Sequence, residues 1–159
     1  FGDTYSDVHN LTGWPAAVVR GGTAPGGLPI GVQLVAPPWR EDLAIAATET
    51  PDMVFENHTA GESAQGEEAR EHIASIFETW PDIHFATRRL YVRDGVVTQE
   101  WTASATHANE MRRGDLVAEP TGNRIEWAGI DVIPFEDGLV KRKDVYSDSV
   151  GILRQVGLL

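Results

Sequence analysis

Alternation of apolar and polar residues is the strongest pattern in the chain, and it begins near residue 83. From there, runs rich in Val, Ile, Thr and aromatic residues predict long strands. The expected ranges are residues 83–92, 96–107, 124–135 and 139–147. Arg93-Asp-Gly95 and Glu136-Asp-Gly138 have the composition of tight hairpin turns. The strands of each pair should therefore run antiparallel.

The clearest helix is predicted at residues 67–80. Its apolar residues recur at helical spacing: Ala69, Ile73, Ile76, Phe77 and Trp80. Glu67 and Glu68 suit the positive end of the helix dipole. A last short helix is expected at residues 148–153.

The first 50 residues are rich in Gly and Pro. Short β-branched runs at residues 16–20 and 30–36 predict two strands joined as a loose hairpin. A short helix is expected at residues 39–48, ended by Pro51, and a short strand at residues 53–55.

These elements together predict an α+β fold. We expect a curved antiparallel sheet wrapped around the long helix, which makes a cone with an internal pocket, preceded by a hairpin-like extension. The expected division of the chain is an extension over residues 1–50 and an α+β domain over residues 51–159.

Charge and composition narrow the classes of partner. The chain has 24 acidic and 13 basic residues, a net charge of -11, so nucleic acids and anionic membranes are poor partners. No apolar stretch is long enough to span a membrane and no signal peptide opens the chain. We therefore expect a protein of the cytoplasm.

Metal and cofactor sites are not expected. The 5 His residues show no tight ligand spacing. No Gly-rich turn follows a strand and opens a helix, as dinucleotide binding requires. The absence of Cys excludes disulfides and thiolate chemistry.

One segment near the N-terminus resembles a known family. Asn10-Leu-Thr-Gly-Trp-Pro-Ala-Ala and Gly27-Leu-Pro-Ile-Gly-Val-Gln-Leu-Val-Ala resemble the C-terminal part of amidase-signature enzymes, over about residues 9–49. That family's catalytic serines and lysine lie upstream of this part, and nothing here matches them. The resemblance implies a remnant of a gene fusion and no complete amidase.

The rest of the chain resembles a second family. Thr106-His107, Pro120-Thr-Gly-Asn-Arg, Asp137-Gly138 and Asp148-Ser-Val-Gly-Ile-Leu-Arg-Gln-Val-Gly occur in the order typical of the SnoaL-like polyketide cyclases. The resemblance covers about residues 52–159. It implies the α+β cone of the nuclear-transport-factor-2-like superfamily, a small hydrophobic molecule as ligand, and a homodimer.

In that family an acidic residue on or near the last strand is the general acid/base. By period two, Asp144 and Tyr146 share one face of this strand while Lys143 and Val145 share the other. The closing sequence pattern favours Asp148 as the catalytic acid, with Asp144 as the alternative and Tyr146 as a substrate contact. Asp148 could equally be the N-cap of the last helix.

Further candidates lie on the other strands. His107 could act as acid, base or hydrogen-bond donor, or be a partly exposed residue at a strand end. Asp131, in an apolar run, is either a second pocket carboxyl or a structural one. Trp101 and Trp127 could line a flat hydrophobic pocket, although an aromatic residue on a strand is more often core.

The resemblance implies a cofactor-free acid/base enzyme of cyclase, isomerase or hydrolase type, acting on a small hydrophobic carbonyl or polyketide-like substrate. The alternative is a non-catalytic ligand-binding or dimerisation module, a fragment or fusion partner of an amidase.

Overall fold

The computed structural model describes residues 16–37 and 47–159. These residues form strands in three sheets and two helices. In chain order they are β1 (Ala16–Thr23), β2 (Pro29–Val35), β3 (Glu49–Asn57), β4 (Glu62–Gln65), α1 (Glu67–Thr79), β5 (His84–Arg93), β6 (Val96–Thr106), β7 (Met111–Arg113), β8 (Leu116–Ala118), β9 (Arg124–Glu136), β10 (Leu139–Ser147) and α2 (Ser149–Gln155).

A curved six-stranded sheet is the centre of the fold, with the strand order β4-β3-β10-β9-β6-β5. All neighbouring strands are antiparallel except β3 and β10, which are parallel. The four long strands predicted from the alternation are β5, β6, β9 and β10, each within one residue of its expected bounds. The predicted α+β class is therefore confirmed.

The alternation along β6 separates the two faces of this sheet. Trp101, Ala103 and Ala105 point to the inner face and are buried. Thr98 and Thr102 point to the outer face and are only half-buried. Because β6 and β9 pair without a register shift, the inner face continues unbroken from one strand to the next.

Helix α1 covers the inner face. It has no side-chain N-cap, but Glu67 and Glu68 in its first turn complement the helix dipole. Ile73 is buried, whereas Ile76 and Phe77 are half-buried and pack against the edge of the core. Neither α1 nor α2 has the length and apolar composition of a membrane-spanning helix. The cytoplasmic location stays a prediction.

The predicted N-terminal hairpin is confirmed, with β1 and β2 paired antiparallel in a sheet of their own. The expected helix at residues 39–48 lies almost entirely outside the described residues. Strand β3 begins at Glu49, earlier than expected, so the six-stranded sheet includes the end of segment 1–50. The division of the chain into two domains stays a prediction.

Helix α2 starts at a side-chain cap. The Asp148 carboxylate Oδ1 accepts a hydrogen bond from the Gly151 backbone N–H at 2.8 Å. A Cβ atom at residue 151 would lie 2.2 Å from Asp148 Oδ2, so a side chain at this position would make the capping carboxylate shift. The buried side chains of Ile152 and Val156 then anchor the helix to the core.

The cap makes a prediction for stability. We expect Asp148→Ala to lower the free energy of unfolding by about 1 kcal/mol, because the first-turn N–H loses its acceptor. Asp148→Asn should retain most of the stability, since Asn also accepts at an N-cap. Urea unfolding of the three proteins measures the difference, and equal losses in both variants would contradict a capping role.

Candidate functional site

A cavity of about 470 Å³ lies between the inner face of the sheet and helix α1. This volume is within the usual range of small-molecule sites. Its walls are largely apolar and include Phe55, Ile73, Ile76, Trp101, Trp127 and Ile133. Such walls suit a hydrophobic ligand.

A buried carboxylate projects from β9 into this apolar surface. Asp131 is 4% exposed and lines the cavity. Its Oδ1 accepts a hydrogen bond from the Trp101 indole N–H at 2.8 Å, and its Oδ2 lies 2.7 Å from the Lys143 ammonium. Two donors from two neighbouring strands thus fix the orientation of one carboxylate.

Gly129 allows this arrangement. It is the register partner of Trp101, and a Cβ atom at residue 129 would lie 2.3 Å from Cζ2 of the indole. The ring therefore lies across the glycine, and its N–H reaches Asp131 two residues further along the same face of β9. Any larger residue at position 129 would displace the ring.

Glu49 is a second buried carboxyl among the residues that line the cavity. Burial raises its pKa, and the charges of Arg70 and Lys143 oppose that rise only in part. The Arg70 Nε lies 3.7 Å from Glu49 Oε2. Sequence reasoning missed Glu49, because it placed this residue between a helix and a strand.

The predicted catalytic residue Asp144 and substrate contact Tyr146 lie on the opposite face of the sheet. The period-two division of β10 was right, but the cavity is on the side of Lys143 and Val145. Asp144 accepts hydrogen bonds from Arg142 Nε at 2.9 and 3.0 Å. Arg142, followed by His58, holds the pKa of Asp144 below its usual range, although partial burial opposes the shift. Neither Asp144 nor Tyr146 lines the cavity, so the face of β10 chosen for the site is corrected.

Asp144 belongs to a polar cluster on this outer face. His58 Nε2 lies 2.7 Å from Asp144 Oδ1, and the His58 ring stacks on Tyr146 with centroids 4.6 Å apart. Ligand atoms of Glu56, His58 and Asp144 lie within 4.8 Å of one another, a spacing that a metal ion could use. Arg142, however, contacts both carboxylates and already supplies the positive charge. Sequence spacing could not reveal the cluster, because His58 and Asp144 are 86 residues apart.

The other two predicted catalytic residues are also outside the cavity lining. Asp148 is the exposed N-cap of α2. His107 is fully buried, not partly exposed as one expectation had it. Its Nδ1 lies 3.2 Å from Thr121 Oγ1, and its ring packs 5.5 Å from that of Trp80. His107 supports the cavity wall from behind.

Three of the predicted site residues do line the cavity: Trp101, Trp127 and Asp131. Trp127 also packs against Trp80, with ring centroids 5.6 Å apart, and both tryptophans of the sheet are buried. They therefore belong to the core and to the pocket wall at once.

The sequence profile of the SnoaL-like polyketide cyclases matches residues 40–156. No curated protein sequence matches the chain significantly. None of these comparisons supports the amidase resemblance of residues 9–49.

Solved structures share the fold. A candidate SnoaL-like polyketide cyclase from Jannaschia sp. CCS1 is 16% identical, with a TM-score of 0.67 over 76% of this chain and 81% of that one. TsrD from Streptomyces laurentii is 22% identical, with a TM-score of 0.63 over 75% and 84%. A protein with a ketosteroid isomerase-like fold from Catenulispora acidiphila, in complex with trimethylamine, is 14% identical, with a TM-score of 0.62 over 76% and 87%. At these identities the likeness concerns the fold.

The raised pKa of Glu49 predicts how stability depends on pH. A carboxyl whose pKa is higher in the folded state favours folding at low pH and loses that contribution as the pH rises through the folded pKa. We therefore expect Glu49→Gln to unfold at higher urea concentration than the wild type at pH 7, with the difference shrinking towards pH 4. Glu67→Gln, which removes the exposed partner of Arg70, is the control and should change stability little. A loss of stability in Glu49→Gln at pH 7 would mean that the Arg70 ion pair outweighs the cost of burial.

Proposed function

Because the chain belongs to the SnoaL-like polyketide cyclase family, we propose that it is a cofactor-free acid/base enzyme acting on a small hydrophobic carbonyl compound. The reaction would be of cyclase, isomerase or hydrolase type. One observation carries the proposal: the Asp131 carboxylate is held by Trp101 and Lys143 inside an apolar cavity.

Asp131 is the proposed general base. Its position at the cavity wall lets it take a proton from the carbon next to a substrate carbonyl. The electron pair of that C–H bond then moves towards the carbonyl oxygen. The ammonium group of Lys143, already beside Asp131, would favour the negative charge that develops. The resulting enolate carbon can attack a second carbonyl group or regain a proton elsewhere.

The ligand class follows from the cavity walls. Aromatic side chains of Trp101, Trp127 and Phe55 offer flat surfaces to a ring compound. The structural neighbour from Jannaschia is named as a candidate SnoaL-like polyketide cyclase, and polyketide-derived rings have this flat, carbonyl-rich character.

The second candidate is a pocket that binds such a ligand without reacting. It is favoured by the fact that both oxygens of Asp131 already have partners, as a purely structural ion pair would. The relation to an amidase, as fragment or fusion partner, stays a prediction.

Exchange of α-protons separates the two candidates. With 2-tetralone in D₂O as the probe, we expect the wild-type protein to accelerate deuterium uptake, measured by NMR. Asp131→Asn should lower this acceleration by about 10²–10⁴-fold, because the amide cannot accept the proton. Asp144→Asn, on the outer face, is the matched control and should keep the wild-type rate.

If the folded protein binds 2-tetralone but exchanges its protons no faster than the unfolded protein does, the non-catalytic binding pocket is favoured. An unchanged rate in Asp131→Asn, with its stability intact, would remove Asp131 as the base.

We also propose that the chain forms a homodimer through the outer face of the six-stranded sheet. Ile130 and Tyr146 are 41% and 45% exposed on this face. Towards the β5 edge Arg89 pairs with Glu100, and towards the β3 edge Arg142 pairs with Glu56 and Asp144, so the charges around this apolar centre are compensated. A two-fold axis along the strands would place the apolar centre of each copy against that of the other.

We expect sedimentation to show a dimer at micromolar concentration. Ile130→Glu should raise the dimer dissociation constant at least about tenfold, because a charge would be buried without a partner. Val150→Glu adds the same charge at an exposed position of α2 and should leave the dimer intact. A wild-type protein that stays monomeric would contradict the proposal.

A further inference from the structure

A histidine on helix α1 faces the same cavity. The ring of His72 packs against Phe55 with centroids 4.7 Å apart, and both residues line the cavity. Its Nε2 lies 3.6 Å from Glu62 Oε2. Glu62 is held in turn by Asn57, whose Nδ2 donates to the same oxygen at 3.2 Å, and by Arg113, whose Nε lies 3.7 Å from Oε1. The imidazole thus has a carboxylate partner that is itself fixed.

His72 and Asp131 line the same cavity. Phe55 is the register partner of Lys143, and paired strands lie about 4.8 Å apart. Lys143 in turn contacts Asp131. His72 thus packs on a residue of β3 whose neighbour on β10 holds Asp131, with the imidazole on the helix side and the carboxylate on the sheet side of the cavity.

His72 is the one histidine among the described residues that lines this cavity. His58 lies in the outer-face cluster and His84 on the exposed edge strand β5. His107 is sealed behind Trp80. His72 is therefore the imidazole that could donate a proton inside this pocket.

The charges around the imidazole come from several elements. Glu62 on β4 is its nearest acidic partner, and Arg113 on β7 is bound to Glu62. The other charged groups that line the cavity are Glu49, Arg112, Asp131 and Lys143. Glu62 is thus the acidic group nearest the imidazole, placed to orient the ring.

We propose that His72 is a second catalytic residue, which protonates the substrate carbonyl oxygen while Asp131 removes the neighbouring carbon-bound proton. Glu62 is a positioning residue that orients the imidazolium. The inference rests on the proposed acid/base function and adds its missing proton donor.

The step balances without a co-reactant. The C–H bond breaks and its proton passes to the Asp131 carboxylate, while its electron pair forms the carbon–carbon double bond. The π electrons of the carbonyl take the proton of His72. The product is a neutral enol, with Asp131 protonated and His72 neutral. Once the proton on Asp131 has exchanged with D₂O, reversal of the step returns the carbonyl compound with deuterium on carbon.

The kinetics of 2-tetralone exchange test this role. His72→Gln should lower kcat by about 10²-fold with little change in KM, because Gln can hydrogen-bond to the substrate oxygen but cannot transfer a proton to it. Glu62→Gln should lower kcat less, again with little change in KM, since the imidazole stays in the cavity with a less fixed orientation. His84→Gln is the control and should keep both constants.

Ring NMR signals of His72 provide a readout that does not need turnover. They should shift when 2-tetralone is added to Asp131→Asn, whereas those of His84 should not. If Asp131→Asn abolishes exchange but His72→Gln leaves kcat unchanged, the catalytic role of His72 is overturned and the proposed function stands. The role of His72 would also be overturned if its NMR signals did not shift while 2-tetralone was bound. Absence of exchange in the wild type would overturn both this role and the proposed function.

Discussion

The contact between the Trp101 indole and Gly129 is the constraint on which the cavity depends. Because residue 129 has no Cβ, a large ring lies flat across β9 and its N–H reaches Asp131. The same ring forms part of the apolar wall around that carboxylate. One packing contact therefore both orients the carboxylate and buries it, so that Asp131 is only 4% exposed.

The sheet carries ion pairs on both faces, and their surroundings give them different roles. Asp131 and Lys143 meet on the inner face, where removal of one partner would leave an uncompensated charge. Asp144 and Arg142 meet on the outer face, close to solvent, where ion pairs contribute little to stability. Strand β10 thus contributes Lys143 to the cavity on one side and Arg142 and Asp144 to the surface on the other.

Local patterns of the sequence predicted much of the fold. The long strands and helix α1 follow from apolar periodicity, and the hairpin turns follow from their turn residues. Both are local signals, carried by residues only a few positions apart in the chain. Trp101, Trp127 and Asp131, which were candidates from the sequence, line the cavity, and their role in binding stays a prediction. The short pair β7 and β8 was not predicted, because its strands have three residues each and show no alternation.

The sequence by itself determined which residues share a face of each strand, since the side-chain period of two is a property of the backbone. It did not determine which face lines the cavity. That choice depends on where α1 packs and on the pairing of β10 with β3, contacts between residues far apart in the chain. For the same reason Glu49 and Lys143 joined Asp131 only in the tertiary structure, and Asp144 was left outside. The side-chain period of two decides which residues of a strand share a face, whereas tertiary packing decides which face is buried.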